Sequence, residues 1–172
     1  MASSFSVTNN HYLRVIYMGN TEVTKKGDRG NFSSGKLTQA DSTALRKGLA
    51  RIADLDLDSI KDDDEDKKTN LFNTMKAFQD AYNFSIESGS ASQNKSISAL
   101  TKQMKKVSSE HADKLSDYGI TFDDKGYMNI KNSAINNISS SKYKEIIGKD
   151  SDYAKELSDI AKKISKHVDI AV

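Results

Sequence analysis

The sequence has 172 residues, of which 36% are hydrophobic and 29% are charged, and this balance indicates one domain with a modest core. The absence of cysteine excludes disulfides, thiolate metal sites and cysteine nucleophiles, and the three histidines are too widely spaced to suggest a zinc site. A net charge of +2 gives no case for nucleic acid or an anionic membrane as a partner, and the absence of proline favours helices.

Residues 1–35 form a first segment that we expect to be extended or irregular. A β-prone cluster runs from Tyr12 to Tyr17, and a polar stretch punctuated by glycine follows it. This pattern predicts a short strand or extended arm and then a loop. The first residues lack a basic region followed by an apolar one, and no stretch approaches the length of a membrane span. We therefore expect a location in the cytoplasm, or export without a cleaved signal.

Residues 36–172 are expected to form a helical-bundle domain, which begins with a helix over residues 39–53. Thr38 can cap this helix, and Asp41 lies in its first turn. Four apolar residues recur at helical spacing: Ala40, Leu45, Leu49 and Ile52.

Two heptad-patterned helices follow. The first begins near an acidic run and is expected to end around Ile86, where the polar turn SGSASQN begins. The second contains a one-residue slip in its pattern at His111. The apolar stripes consist of Leu71, Met75, Phe78 and Tyr82 in the first helix and Ile97, Leu100, Met104, Val107 and Leu115 in the second. Because a short turn joins the helices, we expect them to pack antiparallel as a coiled-coil hairpin.

The remaining sequence predicts a small β-hairpin near residues 120–130 and three further helices. The hairpin is indicated by Asp-Asp-Lys-Gly between apolar residues, because aspartate and glycine suit a tight turn. Two short helices should carry Ala134, Ile135 and Ile138 and then Tyr143, Ile146 and Ile147, the second ending at Gly148. Ser151 caps the last helix, whose stripe is Tyr153, Leu157, Ile160, Ile164 and Val168. The predicted fold class is mainly α, an antiparallel helical bundle with a small β-hairpin.

Three segments in the second half of the chain resemble a known family. They are KAFQDAYN at 76–83, KLSDYGITFDDKGYMNI at 114–130 and SKYKEIIG at 141–148. In order and content they are similar to the C-terminal helical stem of flagellar filament-capping proteins, also called flagellar hook-associated protein 2, over roughly residues 71–165. The resemblance implies an elongated helical stem, export through the flagellar apparatus without a cleaved signal, and assembly into a cap that interacts with flagellin.

Residues 54–65 contain a pattern typical of a calcium-binding EF-hand loop. The five candidate ligands are Asp54, Asp56, Asp58, Asp62 and Glu65, at the spacing that the loop requires and between two predicted helices. Ser59 stands where the loop needs glycine for its sharp turn, and Lys61 stands where an apolar residue is usual. The alternative interpretation is an aspartate-rich linker anchored by Leu55, Leu57 and Ile60.

No local motif of catalysis occurs in the sequence. It contains neither a Gly-x-Ser-x-Gly elbow nor a Gly-x-Gly-x-x-Gly or Gly-Lys-Ser/Thr phosphate loop. The DDDED run is interpreted as solvated charge, because carboxylates rarely titrate abnormally without burial. We therefore predict a non-enzymatic structural or interaction module without a cofactor, whose narrow apolar stripes are completed by a partner helix or a second copy. A calcium-binding interaction module is the alternative.

Overall fold

The computed structural model describes residues 7–61, 63–133 and 140–168. Within these ranges the chain forms seven α-helices and one two-stranded antiparallel sheet, which confirms the predicted mainly α class. The helices are α1 (Val7–Ile16), α2 (Ser34–Ala53), α3 (Glu65–Ala91), α4 (Lys95–Glu110), α5 (Ala112–Ser116), α6 (Ser140–Ile147) and α7 (Asp152–His167), the strands are β1 (Ile120–Phe122) and β2 (Met128–Ile130), and short 3-10 turns occupy Thr21–Thr24, Lys26–Asn31 and Leu57–Ser59. No helix in these ranges combines the length and apolar character needed to cross a bilayer.

The first segment is helical, so the prediction of a strand near residues 12–17 is wrong. Leu13, Ile16 and Tyr17 are buried. Their spacing places Leu13 and Ile16 on one face of α1, and Tyr17, the residue directly after the helix, continues that face. This face packs against α3. Burial against a helix therefore overrides the β-propensity of the cluster, which is a weak and context-dependent preference. The predicted loop after it is formed largely by two 3-10 turns.

The predicted helix over 39–53 is confirmed, but it begins earlier, at Ser34. Its cap is Ser33, whose side chain accepts a hydrogen bond from the Lys36 amide at 3.2 Å. Thr38 therefore lies inside the helix, and so does Asp41, which is fully buried. An earlier serine with extended backbone angles can satisfy the free amides of the first turn, so Thr38 is not needed as a cap.

Helices α3 and α4 are antiparallel, as predicted. Gly89 lies against Thr101 close to the turn, and Tyr82 hydrogen-bonds Ser108 further from it, at 2.8 Å between the two oxygens. Helix α3 continues five residues beyond Ile86, to Ala91. Serine hydroxyls inside this last part, at Ser85 and Ser88, bond back to carbonyls four residues earlier, so these polar residues do not end the helix.

The predicted slip in the second stripe coincides with a break between two helices. Helix α4 ends at Glu110, His111 lies between the helices, and α5 begins at Ala112. Leu100 is only half-buried, because the inward face of α4 is formed by Ile97, Thr101 and Met104. The eight other stripe residues are buried.

The apolar stripes are covered by other helices of the same chain. Helix α3 packs against α1, α2 and α4, and α7 packs against α2 and α4. Met18 is the one large hydrophobic side chain that is strongly exposed among the residues described. The chain therefore covers these stripes itself, and their completion by a partner helix or a second copy stays a prediction.

The predicted hairpin and the last two predicted helices are present. Ile120 pairs with Ile130 and Phe122 with Met128, and Gly126 has the positive φ of 84° that the turn requires. Helix α6 ends at Ile147, directly before Gly148, and Ser151 caps α7 by accepting from the Ala154 amide at 3.2 Å. The predicted short helix with Ala134, Ile135 and Ile138 lies outside the described residues.

Candidate functional site

Helix α3 holds the hairpin through two side-chain amides. Asn83 donates to the Met128 carbonyl at 3.0 Å and accepts from the Met128 amide at 2.7 Å. One turn earlier, Gln79 accepts from the Ile130 amide at 2.8 Å. The residues lie on one helix face because they are four apart. These bonds fix the position of the hairpin on α3.

A second set of contacts, a buried polar cluster around Arg29, holds the N-terminal segment in place. Arg29 donates two hydrogen bonds to the Asp41 carboxylate, at 3.1 and 2.7 Å, and a third to the Val23 carbonyl at 3.1 Å. Tyr17 donates to the same carboxylate at 2.8 Å. The Arg29 guanidinium also lies over the Phe84 ring of α3, 4.0 Å from its centre. The 3-10 turn that carries Arg29 is thereby tied to both α2 and α3.

The electrostatics of this cluster favour a charged pair beside a neutral tyrosine. Burial lowers the pKa of Arg29, but the hydrogen bonds and the charge of Asp41 outweigh burial, and the net pKa is raised. Burial raises the pKa of Tyr17 well above its usual value, and the negative charge of Asp41 raises it further. Arg29 therefore remains a fixed cation whose charge is already neutralised by Asp41.

A cleft of about 340 Å³ lies between these two anchored elements, and we call it the Asp80 cleft. Its floor is one face of α3, and its walls are the Lys26–Asn31 turn and the hairpin. The lining residues are Lys26, Arg29, Asp80, Asn83, Phe84, Glu87 and Tyr127. The cleft therefore combines charged groups with two aromatic rings on a rigid base.

Asp80 is the half-buried carboxylate of this cleft. Its side chain is half-buried, and within the described ranges its carboxylate has no hydrogen bond and no ion pair. Burial raises the pKa of Asp80, and the charges of Lys26 and Lys76 lower it by less. The Lys76 ammonium is held elsewhere, by the Gln79 side chain at 3.0 Å and the Ile130 carbonyl at 3.4 Å. No donor within the described part of the chain therefore bonds the Asp80 carboxylate, which is open to a ligand.

Glu87 lies on the same face of α3, two helical turns further along. Its carboxylate is 3.4 Å from the Arg29 Nε, and its side chain is exposed. Lys26 stands on the rim and is exposed, without a hydrogen bond or ion pair to any described residue. A ligand in the cleft would therefore meet the carboxylate of Asp80, the paired Arg29 and Glu87, and the exposed ammonium of Lys26.

A second cavity, of about 240 Å³, lies beside the break between α4 and α5. His111 faces Glu156 there at 3.6 Å, and Lys114 pairs with Glu145 at 2.8 Å. Behind it, three buried hydroxyls form a chain in which Ser108 lies 2.8 Å from the Tyr82 oxygen and 3.0 Å from the Tyr153 oxygen. His111 and Lys114 each face a carboxylate, and the hydroxyl chain joins three helices, so we assign this region to the stability of the bundle.

The structure does not gather the candidate calcium ligands that it describes. Asp54 directly follows α2 as its C-terminal cap, and Asp56 and Asp58 lie at a 3-10 turn around the buried Leu57. Asp58 forms an ion pair with Lys144. Glu65 begins α3 and pairs with Lys68 at 3.6 Å. Asp62 lies outside the described residues, and within them no three acidic or histidine side chains converge to hold a metal ion.

Sequence reasoning missed Arg29, Asp80 and Tyr127 as members of a site. One signal was present for the buried cluster, because Asp41 stands four residues before Leu45, on the apolar face of a predicted helix. A carboxylate in that position needs a buried partner. No local pattern relates Asp80 to Lys26 or Tyr127, which come from distant parts of the chain.

The fold and the cleft define a mainly α-helical bundle protein in which a small hairpin and the Lys26–Asn31 turn flank a charged cleft. Comparison of the sequence and the structure with protein-family models, curated proteins and solved structures finds no match.

Proposed function

We propose that this chain is a non-enzymatic structural or interaction protein that binds a protein partner through the Asp80 cleft. The observation that carries the proposal is the unpaired carboxylate of Asp80 in a cleft whose walls are both anchored. Partial burial makes the solvation of the Asp80 charge weaker than on the open surface, and a cationic ligand that pairs with it compensates for part of that loss.

Rigidity of the cleft supports a binding role. Arg29 anchors one wall to Asp41, and Asn83 anchors the other to α3. A surface that is already ordered loses little conformational entropy when it binds, so more of the contact energy appears as affinity. The apolar stripes are buried within the chain, so the cleft is a better candidate contact than a helix face.

One contact in the structure is relevant to the resemblance to filament-capping proteins. Asn83 lies in KAFQDAYN and Met128 in KLSDYGITFDDKGYMNI, and these two segments bond directly to each other. Such a contact supports a helical stem with a hairpin at its side. A role at the bacterial flagellum, with export without a cleaved signal, is the form of the proposal that this resemblance favours.

Affinity capture with the full chain tests the proposal. Wild type is compared with Asp80→Asn and Glu87→Gln, which remove charge at nearly constant shape, and with Asp159→Asn, which removes an exposed carboxylate on α7. We expect a partner that wild type and Asp159→Asn recover and that the two cleft variants lose. A partner retained by all four proteins would contradict binding at the cleft. Purified flagellin is the specific test of the flagellar form, and failure to co-elute with it would remove that form.

A further inference from the structure

We propose that the Asp80 cleft takes a lysine or arginine side chain from an extended basic segment of a partner protein. This inference rests on the proposed function, because it names the chemistry of the partner at the same cleft.

The sign of the available charge favours a cation. Asp41 already neutralises Arg29 through two hydrogen bonds, and the Lys76 ammonium is turned to the Ile130 carbonyl. A ligand therefore meets the carboxylate of Asp80, the Glu87 carboxylate that faces the Arg29 Nε at 3.4 Å, and one ammonium, that of Lys26. With Asp41 behind Arg29, three carboxylates stand against two cations, and among the described residues an anion would find no unpaired cation deeper than the rim.

The position of Arg29 keeps the chain from satisfying Asp80 itself. Its guanidinium is bonded to Asp41 and Val23 and stacked on Phe84. Moving it toward Asp80 would break a buried ion pair, which is costly because a carboxylate would be left buried and alone. The acceptor at Asp80 thus remains open to an outside donor.

The walls suit the apolar stem of a long basic side chain. Lysine and arginine carry their charge at the end of three or four methylenes, which pack on apolar or aromatic surface. The Tyr127 ring is half-buried and lines the cleft, whereas the face of Phe84 is already covered by Arg29. Tyr127 is therefore the ring that the stem of the partner would contact.

The dimensions of the cleft fit a peptide segment better than a single side chain. The cleft of about 340 Å³ is larger than one lysine side chain. Seven residues of helix separate Asp80 from Glu87, which is about 10 Å along the axis. An extended chain in the polyproline II form has three residues per turn and rises about 3.1 Å per residue, so residues three positions apart lie on the same side, about 9 Å from each other. Two basic residues with that spacing would therefore reach both carboxylates.

Lys26 is the internal competitor for Asp80. It is close enough to lower the pKa of Asp80, yet it forms no ion pair within the described residues. Its long side chain can swing over the rim and occupy the site weakly. Removing its charge should therefore strengthen the binding of a basic segment.

The test is a titration of the isotope-labelled full chain followed by amide chemical shifts. The probe is an acetylated and amidated tetrapeptide with lysine at both ends and glycine between them, and its arginine counterpart identifies the preferred cation. Peptides with glutamate or norleucine at both ends are the controls. We expect shifts at residues 80–87 and at Tyr127 with the basic probes alone.

Three variants make the test specific. Asp80→Asn should weaken binding about tenfold, as expected for loss of a charged hydrogen-bond acceptor. Lys26→Met should tighten binding a few-fold, and Asp159→Asn should change nothing. Thermal melts confirm that each variant is folded. Equal binding of the acidic and basic peptides, or no shift at the cleft with either basic probe, would overturn the inference. If capture of a natural partner still depended on Asp80 in that case, the proposed function would stand and the basic chemistry would be wrong.

Discussion

The side-chain amide of Asn83 hydrogen-bonds both backbone groups of Met128, as a third strand would. Two hydrogen bonds flank the hairpin ladder, one from the Lys131 amide to the Gly119 carbonyl and one from the Asp123 amide to the Tyr127 carbonyl. Because bonded and non-bonded pairs alternate in an antiparallel ladder, the backbone groups of Met128 and Ile130 point away from the partner strand. Asn83 and Gln79 occupy that outer edge. A two-stranded hairpin is marginally stable alone, and α3 supplies the missing edge contacts.

Replacing Asn83 with alanine should detach the hairpin from α3. The variant loses two hydrogen bonds and leaves backbone groups of the buried Met128 unpaired, so we expect the free energy of unfolding to fall by about 1–3 kcal/mol. Urea unfolding measures the loss, and hydrogen exchange at Met128 and Ile130 should accelerate. Asn70→Ala, at an exposed position on the same helix, is the control and should change little. Unchanged exchange at Met128 would show that the amide does not hold the strand.

Breaking the Arg29–Asp41 pair should be costly, whereas removing both charges should cost less than the sum of the single losses. We expect Arg29→Met or Asp41→Asn to lower the free energy of unfolding by about 3–5 kcal/mol, because each leaves the other group buried without its partner. A double-mutant cycle by guanidinium unfolding measures the coupling. Arg14→Met, on the exposed side of α1, is the control. Additive losses would argue against a coupled pair.

Gly89→Ala should destabilise the crossing of α3 and α4. A Cβ added at Gly89 would collide with the hydroxyl of Thr101, whose own Cβ would lie 3.2 Å away. Thr101 is buried and β-branched, so it cannot rotate freely to make room. We expect a loss of about 1–3 kcal/mol in urea unfolding. Gly30→Ala is the matched control, because nothing lies within 4 Å of its added Cβ. Equal stability of the two variants would mean that the crossing relaxes without cost.

Two buried tyrosines should respond in opposite directions to loss of the hydroxyl. Tyr143 is fully buried and its hydroxyl has no partner in the described residues, so Tyr143→Phe should raise the free energy of unfolding by about 1 kcal/mol. The Tyr17 hydroxyl donates to Asp41, so Tyr17→Phe should lower it by about 1 kcal/mol or more. Thermal unfolding of both variants at neutral pH measures the difference. A loss in Tyr143→Phe would reveal a hydroxyl contact outside the described residues.

Stability should fall at alkaline pH. Burial raises the pKa of Tyr17, Tyr82, Tyr143 and Tyr153 above the usual value near 10. Below about pH 10 these tyrosines are protonated in both states; above it the unfolded chain loses protons that the folded chain keeps, so the free energy of unfolding decreases with pH. Each tyrosine adds a slope of up to about 1.4 kcal/mol per pH unit.

Urea unfolding across an alkaline series, with tyrosinate absorbance of the folded protein, measures this effect. The Tyr143→Phe variant should show a shallower slope. Ionisation of all tyrosines before unfolding would contradict the burial of these four rings.

Local patterns in the sequence were sufficient for α2, α3, α4, α6 and α7, for the hairpin and for one of the caps. The steps of three and four along residues 71–82 set the inward face of α3, and Ser151 capped α7, because periodicity and capping act within a few neighbouring residues. The Asp-Asp-Lys-Gly turn placed the hairpin for the same reason.

Tertiary structure alone decided the rest. The Tyr12–Tyr17 cluster is helical because α3 buries its face, and α1, α2 and α7 cover the apolar stripes of α3 and α4. The contacts that shape the Asp80 cleft join residues 45 positions apart at Asn83 and Met128, and 12 apart at Arg29 and Asp41. Such pairings depend on how helices pack across the whole bundle, and no short-range pattern records them.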